Sequence, residues 1–152
     1  MHTFHRVQLV PRPVEEVFAF FADAGNLEAL TPPWLKFRML TPLPIEMRAG
    51  AIIDYRLTVR GLPIAWKTEI VEWEPNRSFV DIQRNGPYRT WVHTHRFEAG
   101  EGGTSVSDDV EYELPLGPLG RIANSLVVQG DLERIFGFRK QRIAEIFAKP
   151  SA

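Results

Sequence analysis

The stretch TWVHTHRFEAGEGGTSVSDDVEYEL (residues 90–114) predicts two antiparallel strands joined by a glycine-rich turn. Each half is rich in β-branched and aromatic residues, and AGEGG between them is typical of a hairpin connection. Side chains of a strand point to alternate faces, so the apolar residues define the buried face. In the first half that face carries Trp91, His93, His95 and Phe97. In the second half it carries Val106, Asp108, Val110 and Tyr112.

Two histidines and an aspartate thus share an otherwise apolar face of the predicted hairpin. Closing the hairpin around AGEGG is expected to place His93 opposite Asp108 and His95 opposite Val106. Titratable groups inside an apolar wall are candidates for a functional site. The pattern therefore predicts such a site on this face.

Three further strands are predicted upstream of the hairpin: IIDYRLTV (52–59), IAWKTEIVEW (64–73) and SFVDIQR (78–84). Short turns containing glycine or asparagine join them, which implies antiparallel neighbours in a meander. In the first of these strands the residues that alternate with polar ones are Ile53, Tyr55, Leu57 and Val59. Such alternation is typical of a sheet that buries one face and exposes the other.

The N-terminal segment predicts one strand and two short helices. The strand is predicted over HTFHRVQLV (2–10), and Pro13 suits the first position of a helix whose first turn carries Glu15 and Glu16. NLEAL permits a second short helix, which TPPW stops because proline cannot occupy a helix interior. Three interpretations of Trp34 in that loop stay open: a lip over a cavity, a membrane contact, or a corner packed on the sheet edge.

A long helix is predicted at the C-terminal end, over RIANSLVVQGDLERIFGFRKQRIAEIF (121–147). Its apolar residues recur at helical spacing and form one broad stripe. The stripe consists of Ile122, Leu126, Leu132, Ile135, Phe136, Ile143, Ile146 and Phe147. The cations Arg134, Arg139, Lys140 and Arg142 alternate with acidic residues, so they are expected on a solvated helix face.

Composition excludes several classes of function. The net charge of −1 gives no general attraction for nucleic acid, and the absence of cysteine excludes disulfides, thiolate metal sites and a cysteine nucleophile. The sequence shows neither a signal peptide nor an apolar run long enough to span a membrane, so we expect a cytoplasmic protein. With no internal repeat and no linker, residues 1–152 are expected to form one domain.

The chain resembles the START-like, or helix-grip, superfamily (SRPBCC), and within it the bacterial cyclase/dehydrase and coenzyme Q-binding-like branch. The resemblance rests on PVEEVFAFFADAGNLEALTPPW (13–34), GPYRTWVHTHRF (86–97) and DVEYELPLGPLG (109–120). It implies an α+β helix-grip fold, in which a curved antiparallel sheet wraps a long C-terminal helix, with two short helices near the N-terminus. Members include lipid carriers, plant allergens that contain a pocket, and aromatase/cyclases, so the fold alone does not assign a function.

The resemblance also implies a cavity between the sheet and the last helix, and it favours Phe79, Asp81 and Gln83 as inward residues. We expect a single START-like ligand-binding domain that takes a small or medium apolar ligand: a lipid, a quinone or a polyketide-like aromatic. The residues expected to contact the ligand are Tyr55, Trp66, Phe79, Asp81, Gln83, Trp91, His93, His95, Phe97, Val110 and Tyr112. No cofactor is expected. The expected partner is the small apolar ligand, and the chain is expected to be a monomer or a homodimer.

Two alternatives stay open beside ligand binding. The first is a cyclase/dehydratase in which His93, oriented by Asp108, is the general base and His95 or Tyr112 is the acid. The second is a structural or partner-binding module with a filled core, where the buried polar groups only satisfy one another. No metal is expected, because the two strand imidazoles lack a matched third ligand in the sequence pattern.

Overall fold

Seven strands form one antiparallel sheet in the computed structural model, which describes residues 1–148. The strands are β1 His2–Val10, β2 Arg38–Met39, β3 Ile52–Val59, β4 Leu62–Glu74, β5 Ser78–Asn85, β6 Thr90–Gly100 and β7 Gly103–Glu113. Their order across the sheet is β1-β7-β6-β5-β4-β3-β2, so β3 to β7 form the predicted meander and β1 closes onto β7. The short strand β2 was not predicted from the sequence.

Short helices follow β1, and a long helix follows β7. Near the N-terminus lie α1 Val14–Phe21 and α2 Leu27–Leu30, with short 3-10 turns at Ala24–Asn26 and Pro33–Leu35. The last helix is continuous in sequence through α3 Pro118–Ala123, a π-helical turn Asn124–Val128 and α4 Gln129–Ala148. No helix within residues 1–148 is long and apolar enough to cross a membrane. The architecture is the α+β helix-grip arrangement that the resemblance implies.

The last helix packs its inner face on the sheet through two apolar clusters. Leu132 and Phe136 pack with Trp66, Trp91, Val110 and Tyr112, and Ile143 and Phe147 pack with α1 and with Phe97. The predicted stripe is wrong at its N-terminal end, where Ile122 is 55% exposed and Leu126 is 76% exposed. Each helical residue advances about 100°, so these two side chains lie opposite the buried Gly120 and Asn124.

The register of the β6–β7 hairpin differs from the prediction by two residues. His95, not His93, lies opposite Asp108, and His93 lies opposite Val110. The strands extend further into the AGEGG segment than expected, until Gly100 pairs with Gly103 across a two-residue turn. Because strand side chains alternate with a period of two, this shift leaves the inward face unchanged. His93 and His95 therefore still point to the interior, and both are buried.

Candidate ligand cavity and its His–Asp cluster

A cavity of about 590 Å³ lies between the sheet and α4. Its walls are mostly apolar and include Ile53, Leu57 and Ile64 from β3 and β4, and Leu132, Ile135 and Phe136 from α4. Leu27, Leu30 and Trp34 contribute from the N-terminal helices. Trp34 is 51% exposed, and its ring contacts Phe138 at 5.8 Å between centroids, so it lies at the cavity wall beside α4; its role as a lip stays a prediction. A volume of this size lies within the range of small-molecule sites.

Seven of the eleven residues expected to contact a ligand line this cavity: Tyr55, Trp66, Phe79, Asp81, Trp91, His93 and His95. They come from β3, β4, β5 and β6, the central strands of the meander. Their inward position follows from the alternation of the strands, which the sequence showed most clearly in β3 and β6. Their contact with a ligand stays a prediction.

The other four predicted contact residues do not line the cavity, and each has a structural role instead. The Gln83 side chain donates to the Tyr88 carbonyl at 2.7 Å and accepts from the Tyr88 N–H at 3.1 Å, so it holds the β5–β6 loop. Phe97 packs in the core cluster with α1, and Val110 is buried beneath α4. The Tyr112 hydroxyl donates to Asn124 Oδ1 at 2.5 Å, which ties β7 to the π-helical turn.

Two His–Asp pairs form the polar part of the cavity wall. His93 Nε2 lies 2.8 Å from Asp108 Oδ1, and His95 Nε2 lies 2.6 Å from Asp81 Oδ2. The two imidazole rings stack with centroids 3.7 Å apart and planes 26° apart. The predicted His93–Asp108 contact is therefore present, although the predicted register was wrong.

The contacts are diagonal, which explains how the pair forms in a shifted register. Asp108 is directly opposite His95, and Asp81 is directly opposite His93 on the other neighbouring strand. Each histidine bonds to the aspartate that lies opposite the other histidine. Diagonal neighbours in a sheet are within reach of long side chains, so a two-residue shift does not separate the pair. We call these four side chains the His–Asp cluster.

Arg139 of α4 joins the His–Asp cluster and was missed as a site residue by the sequence analysis. One of its terminal nitrogens lies 3.4 Å from Asp108 Oδ1, its side chain is 13% exposed, and its guanidinium lies over the rings of Phe21 and Phe136. The prediction of a solvated position for Arg139 is wrong. Its spacing gave a signal: it falls three residues after Phe136 and four before Ile143, both on the buried face.

Burial and the neighbouring charged or polar groups have opposite effects on the carboxyl pKa values of the His–Asp cluster. Burial alone would raise the pKa of Asp108, but the Arg139 charge and the His93 hydrogen bond outweigh it and lower that pKa. Burial alone would also raise the pKa of Asp81, but the His95 hydrogen bond and the electrostatic interactions with His93, His95 and Arg139 outweigh it and lower that pKa. Burial, reinforced by His93, lowers the pKa of His95 to about 4. At neutral pH both carboxylates are thus ionised and His95 is neutral.

Three buried polar atoms on residues of the cavity wall have no hydrogen-bond partner within the described part of the chain. They are Trp66 Nε1, His95 Nδ1 and Arg139 Nε. Neutral His95 donates from Nε2 to Asp81, so its Nδ1 is a free acceptor, whereas the indole and guanidinium nitrogens are donors. Buried polar groups are nearly always paired, so these three atoms are unsatisfied groups beside the cavity.

Asp81, His93 and His95 also form a possible metal donor set, with ligand atoms within 4.8 Å of one another. Two imidazoles and a carboxylate suit a divalent transition metal. A metal at this position would have to replace the 2.6 Å hydrogen bond between His95 and Asp81. The absence of a metal stays a prediction.

The sequence matches a protein family described as "Polyketide cyclase / dehydrase and lipid transport" over residues 1–147. The chain belongs to this family, which fits the helix-grip fold and the cavity described above. Among curated proteins, none matches the chain.

Solved structures share the fold. The chain is 21% identical to TTHA0849 from Thermus thermophilus, covering 95% of this chain and 99% of that one, with a TM-score of 0.67. It is 15% identical to CV1439 from Chromobacterium violaceum, covering 96% of this chain and 97% of that one, with a TM-score of 0.75. It is 15% identical to Ara h 8.0201, covering 97% of this chain and 99% of that one, with a TM-score of 0.66. At these identities the likeness shows the fold alone.

Proposed function

We propose that the chain is one ligand-binding domain whose cavity takes a small or medium apolar molecule: a lipid, a quinone or a polyketide-like aromatic. The observation that carries this proposal is the cavity of about 590 Å³ between sheet and helix. Its walls are aromatic and aliphatic, and the His–Asp cluster with Arg139 supplies a few polar groups in one region. This composition is typical of sites that bind an apolar guest and orient it by a few hydrogen bonds. We further expect a cytoplasmic monomer or homodimer that binds no nucleic acid.

Native mass spectrometry of the freshly purified protein, followed by solvent extraction, tests this proposal. We expect a mass above that of the polypeptide and release of an apolar small molecule. Ile135→Trp is expected to abolish this extra mass, because Ile135 lines the cavity and the larger ring would fill it. Leu126→Trp is the matched control on the same helix, since Leu126 points to solvent.

A protein that carries no small molecule and does not bind 1-anilinonaphthalene-8-sulfonate would contradict the proposal. Equal retention of the ligand by the two tryptophan variants would contradict the location of the site. Stoichiometric zinc, iron or another divalent metal in the same spectra would contradict the expectation that no metal binds.

A second candidate function is a cyclase/dehydratase, and the buried His93–Asp108 bond of 2.8 Å favours it. Asp108 accepts from His93 Nε2, which leaves His93 Nδ1 as the nitrogen that would act as the base. In a dehydration His93 would take a proton from the carbon beside a ketone and return it to the leaving hydroxyl, so that water departs and a C=C bond forms. Tyr112 is unsuited as the acid because its hydroxyl is bound to Asn124 outside the cavity. His95 is unsuited because its pKa of about 4 leaves it unprotonated at neutral pH.

Dehydration of 4-hydroxy-4-phenylbutan-2-one, followed by ultraviolet absorbance, tests this second function. We expect turnover by the unmodified protein and its loss in His93→Gln, which removes the base. His5→Gln is the matched control, since His5 is exposed on β1 and does not line the cavity. If His93→Gln turns over the substrate as fast as the unmodified protein, His93 is not the base. If the unmodified protein shows no turnover, the dehydratase function is contradicted for this class of substrate.

A further inference from the structure

Two arginines and an aspartate form a charged group where the cavity meets solvent. Arg60 lies in the turn between β3 and β4, Asp131 and Arg134 lie near the start of α4, and all three line the cavity. Arg60 donates to Asp131 through Nε at 3.3 Å and through a terminal nitrogen at 3.0 Å. A terminal nitrogen of Arg134 donates to the same carboxylate at 2.8 Å. The two arginine side chains are 60% and 67% exposed, so these three residues, which we call the charged rim, mark an opening of the cavity.

The charged rim has one positive charge more than it needs. Two guanidinium groups share one carboxylate, and within residues 1–148 neither arginine pairs with a second one. A guanidinium carries several N–H donors in a planar fork, so both arginines keep donors for a further acceptor. A carboxylate fits this fork and carries one negative charge, whereas a phosphate monoester carries about −1.5 to −2 at neutral pH. The acceptor that balances the rim is therefore a single carboxylate.

The backbone at Arg60 is one that an arginine rarely adopts. Val59 pairs with Leu62, and the two residues between them have positive φ, 50° at Arg60 and 81° at Gly61. A turn of this kind favours asparagine, aspartate or glycine at its first position, because a left-handed backbone disfavours larger side chains. Local turn chemistry therefore does not account for this arginine. An unfavourable backbone at the opening of a cavity supports a functional role for its side chain.

The wall next to the charged rim is apolar. Leu57 and Ile64 come next along β3 and β4, Ile135 lies about one turn beyond Asp131 on α4, and all three line the cavity. An amphipathic ligand can thus contact the rim with its polar end and these side chains with its tail.

The other charged groups of the cavity wall do not offer an equivalent site. The lowered carboxyl pKa of Asp81 keeps it ionised at neutral pH, and Arg139 is paired with Asp108. The carboxylate of Asp23 accepts from the Gly25 N–H at 2.9 Å and would repel a second carboxylate.

We propose that the cavity takes single-chain amphipathic carboxylates: Arg60 and Arg134 bind the head group, and the apolar walls beyond them hold the hydrocarbon tail. This inference rests on the proposed ligand-binding function and names the class of lipid, a fatty acid, that the cavity selects. An alcohol of the same length brings no charge to the rim. An amine of the same length is repelled by the net positive charge.

Three probes with the same ten-carbon chain test the inference: decanoate, 1-decanol and decylamine. Their dissociation constants are measured at pH 7 and low ionic strength from tryptophan fluorescence, since Trp34, Trp66 and Trp91 line the cavity. We expect decanoate to bind about tenfold more tightly than decanol, and decylamine to bind more weakly than both. Added salt is expected to reduce the preference for decanoate, because the charged rim is exposed.

Substitutions at the charged rim are expected to change this preference without unfolding the protein. Arg60→Asn suits the backbone of the turn and leaves the rim neutral, so the preference for decanoate over decanol is expected to fall to about twofold or less. Arg60→Asn combined with Arg134→Gln leaves only Asp131, and decylamine is expected to bind most tightly. Arg142→Gln is the matched control, because it removes a positive charge from the same helix outside the cavity. Melting temperatures measured on the same preparations check folding; if the double variant does not fold, Arg60→Asn and the salt dependence decide.

The outcomes separate the two proposals. Equal binding of decanoate and decanol to the unmodified protein, or a preference that persists in the double variant, overturns the role of the charged rim and leaves the cavity function standing. An equal loss of preference in Arg142→Gln assigns the effect to the net charge of the protein and also overturns that role. Tightest binding of decylamine to the unmodified protein overturns the carboxylate head group. Failure of all three probes to bind overturns this inference, and it overturns the cavity function as well if the native mass spectrum shows no small molecule.

Discussion

Asp108 on the sheet and Arg139 on the last helix form a buried ion pair across the edge of the cavity, with 3.4 Å between carboxylate oxygen and guanidinium nitrogen. The same oxygen of Asp108 accepts from His93 at 2.8 Å. The pair therefore connects α4 to the His–Asp cluster. Disturbing this contact affects both stability and the shape of the site.

Replacing Arg139 by methionine is expected to destabilise the protein by about 2 kcal/mol, because the ionised Asp108 loses its buried cation and keeps only the histidine. Urea unfolding monitored by circular dichroism measures the change. Arg142→Met is the control, since Arg142 pairs with Glu145 at the surface and its loss is expected to cost less than about 0.5 kcal/mol. Equal effects of the two substitutions would show that the Arg139 contact contributes no more than a surface pair.

Stability is expected to fall on mild acidification because of His95. Its pKa is lowered from an ordinary 6.5 to about 4, so between these pH values the unfolded chain binds a proton that the folded protein excludes. The free energy of unfolding therefore decreases as the pH drops through this window, by up to about 1.4 kcal/mol per pH unit. Asp81 and Asp108 have lowered carboxyl pKa values, so these two groups are protonated only at lower pH. Their protonation then lowers the free energy of unfolding further.

Urea unfolding at pH 7.0, 5.5 and 4.5 checks this dependence. His95→Gln is expected to flatten the profile across this range, whereas His5→Gln, at an exposed position, keeps its slope. A profile that is already flat in the unmodified protein would contradict the exclusion of the proton from His95.

Gly103 is expected to tolerate no side chain. It begins β7 with φ +137°, and a Cβ there would lie 2.0 Å from the Val10 carbonyl oxygen of the neighbouring strand. Gly103→Ala is therefore expected to lower the free energy of unfolding by about 3 kcal/mol or more, since backbone must move on one of the two strands. A Cβ on Gly100, at the other side of the same turn, meets nothing within 4 Å. Thermal unfolding of Gly100→Ala should accordingly resemble that of the unmodified protein, and similar losses in both variants would contradict this account.

Tyr112→Phe is expected to cost about 1–2 kcal/mol of stability, because Asn124 loses a buried hydrogen bond. The same substitution is expected to leave dye binding unchanged, since Tyr112 does not line the cavity. Unfolding and dye titration are measured on one preparation. Weakened dye binding with unchanged stability would restore Tyr112 to the site and contradict its structural role.

Much of the fold could be predicted because strand alternation and helix spacing are local properties. The inward positions of Trp91, His93 and His95 followed from a period of two, and this period survives a register shift of two residues. The register itself could not be predicted, because the several glycines of AGEGG permit more than one closure of the turn. The diagonal His–Asp contacts depend on that closure and on a third strand, β5.

Arg139 could not be assigned by composition because a charged residue on a helix is usually solvated. Its burial depends on Asp108, which lies on a different element and supplies the opposite charge. The helix spacing alone placed Arg139 near the buried face, but only the tertiary contact makes that position favourable. Similarly, the lack of a hydrogen-bond partner for Trp66 Nε1 among the described residues results from the tertiary packing around this ring, which the sequence does not show.

The pairing of β1 with β7 also determines when the protein can complete its sheet during synthesis. His2 pairs with Tyr112, so β1, the first of the seven strands to be synthesised, pairs with the last one. At about 5–20 residues per second, the roughly 100 intervening residues take on the order of 5 to 20 seconds to be made. During that time β1 has a free edge and the central strands can form their meander without it. Completion of the sheet is therefore a late event that follows synthesis of β7.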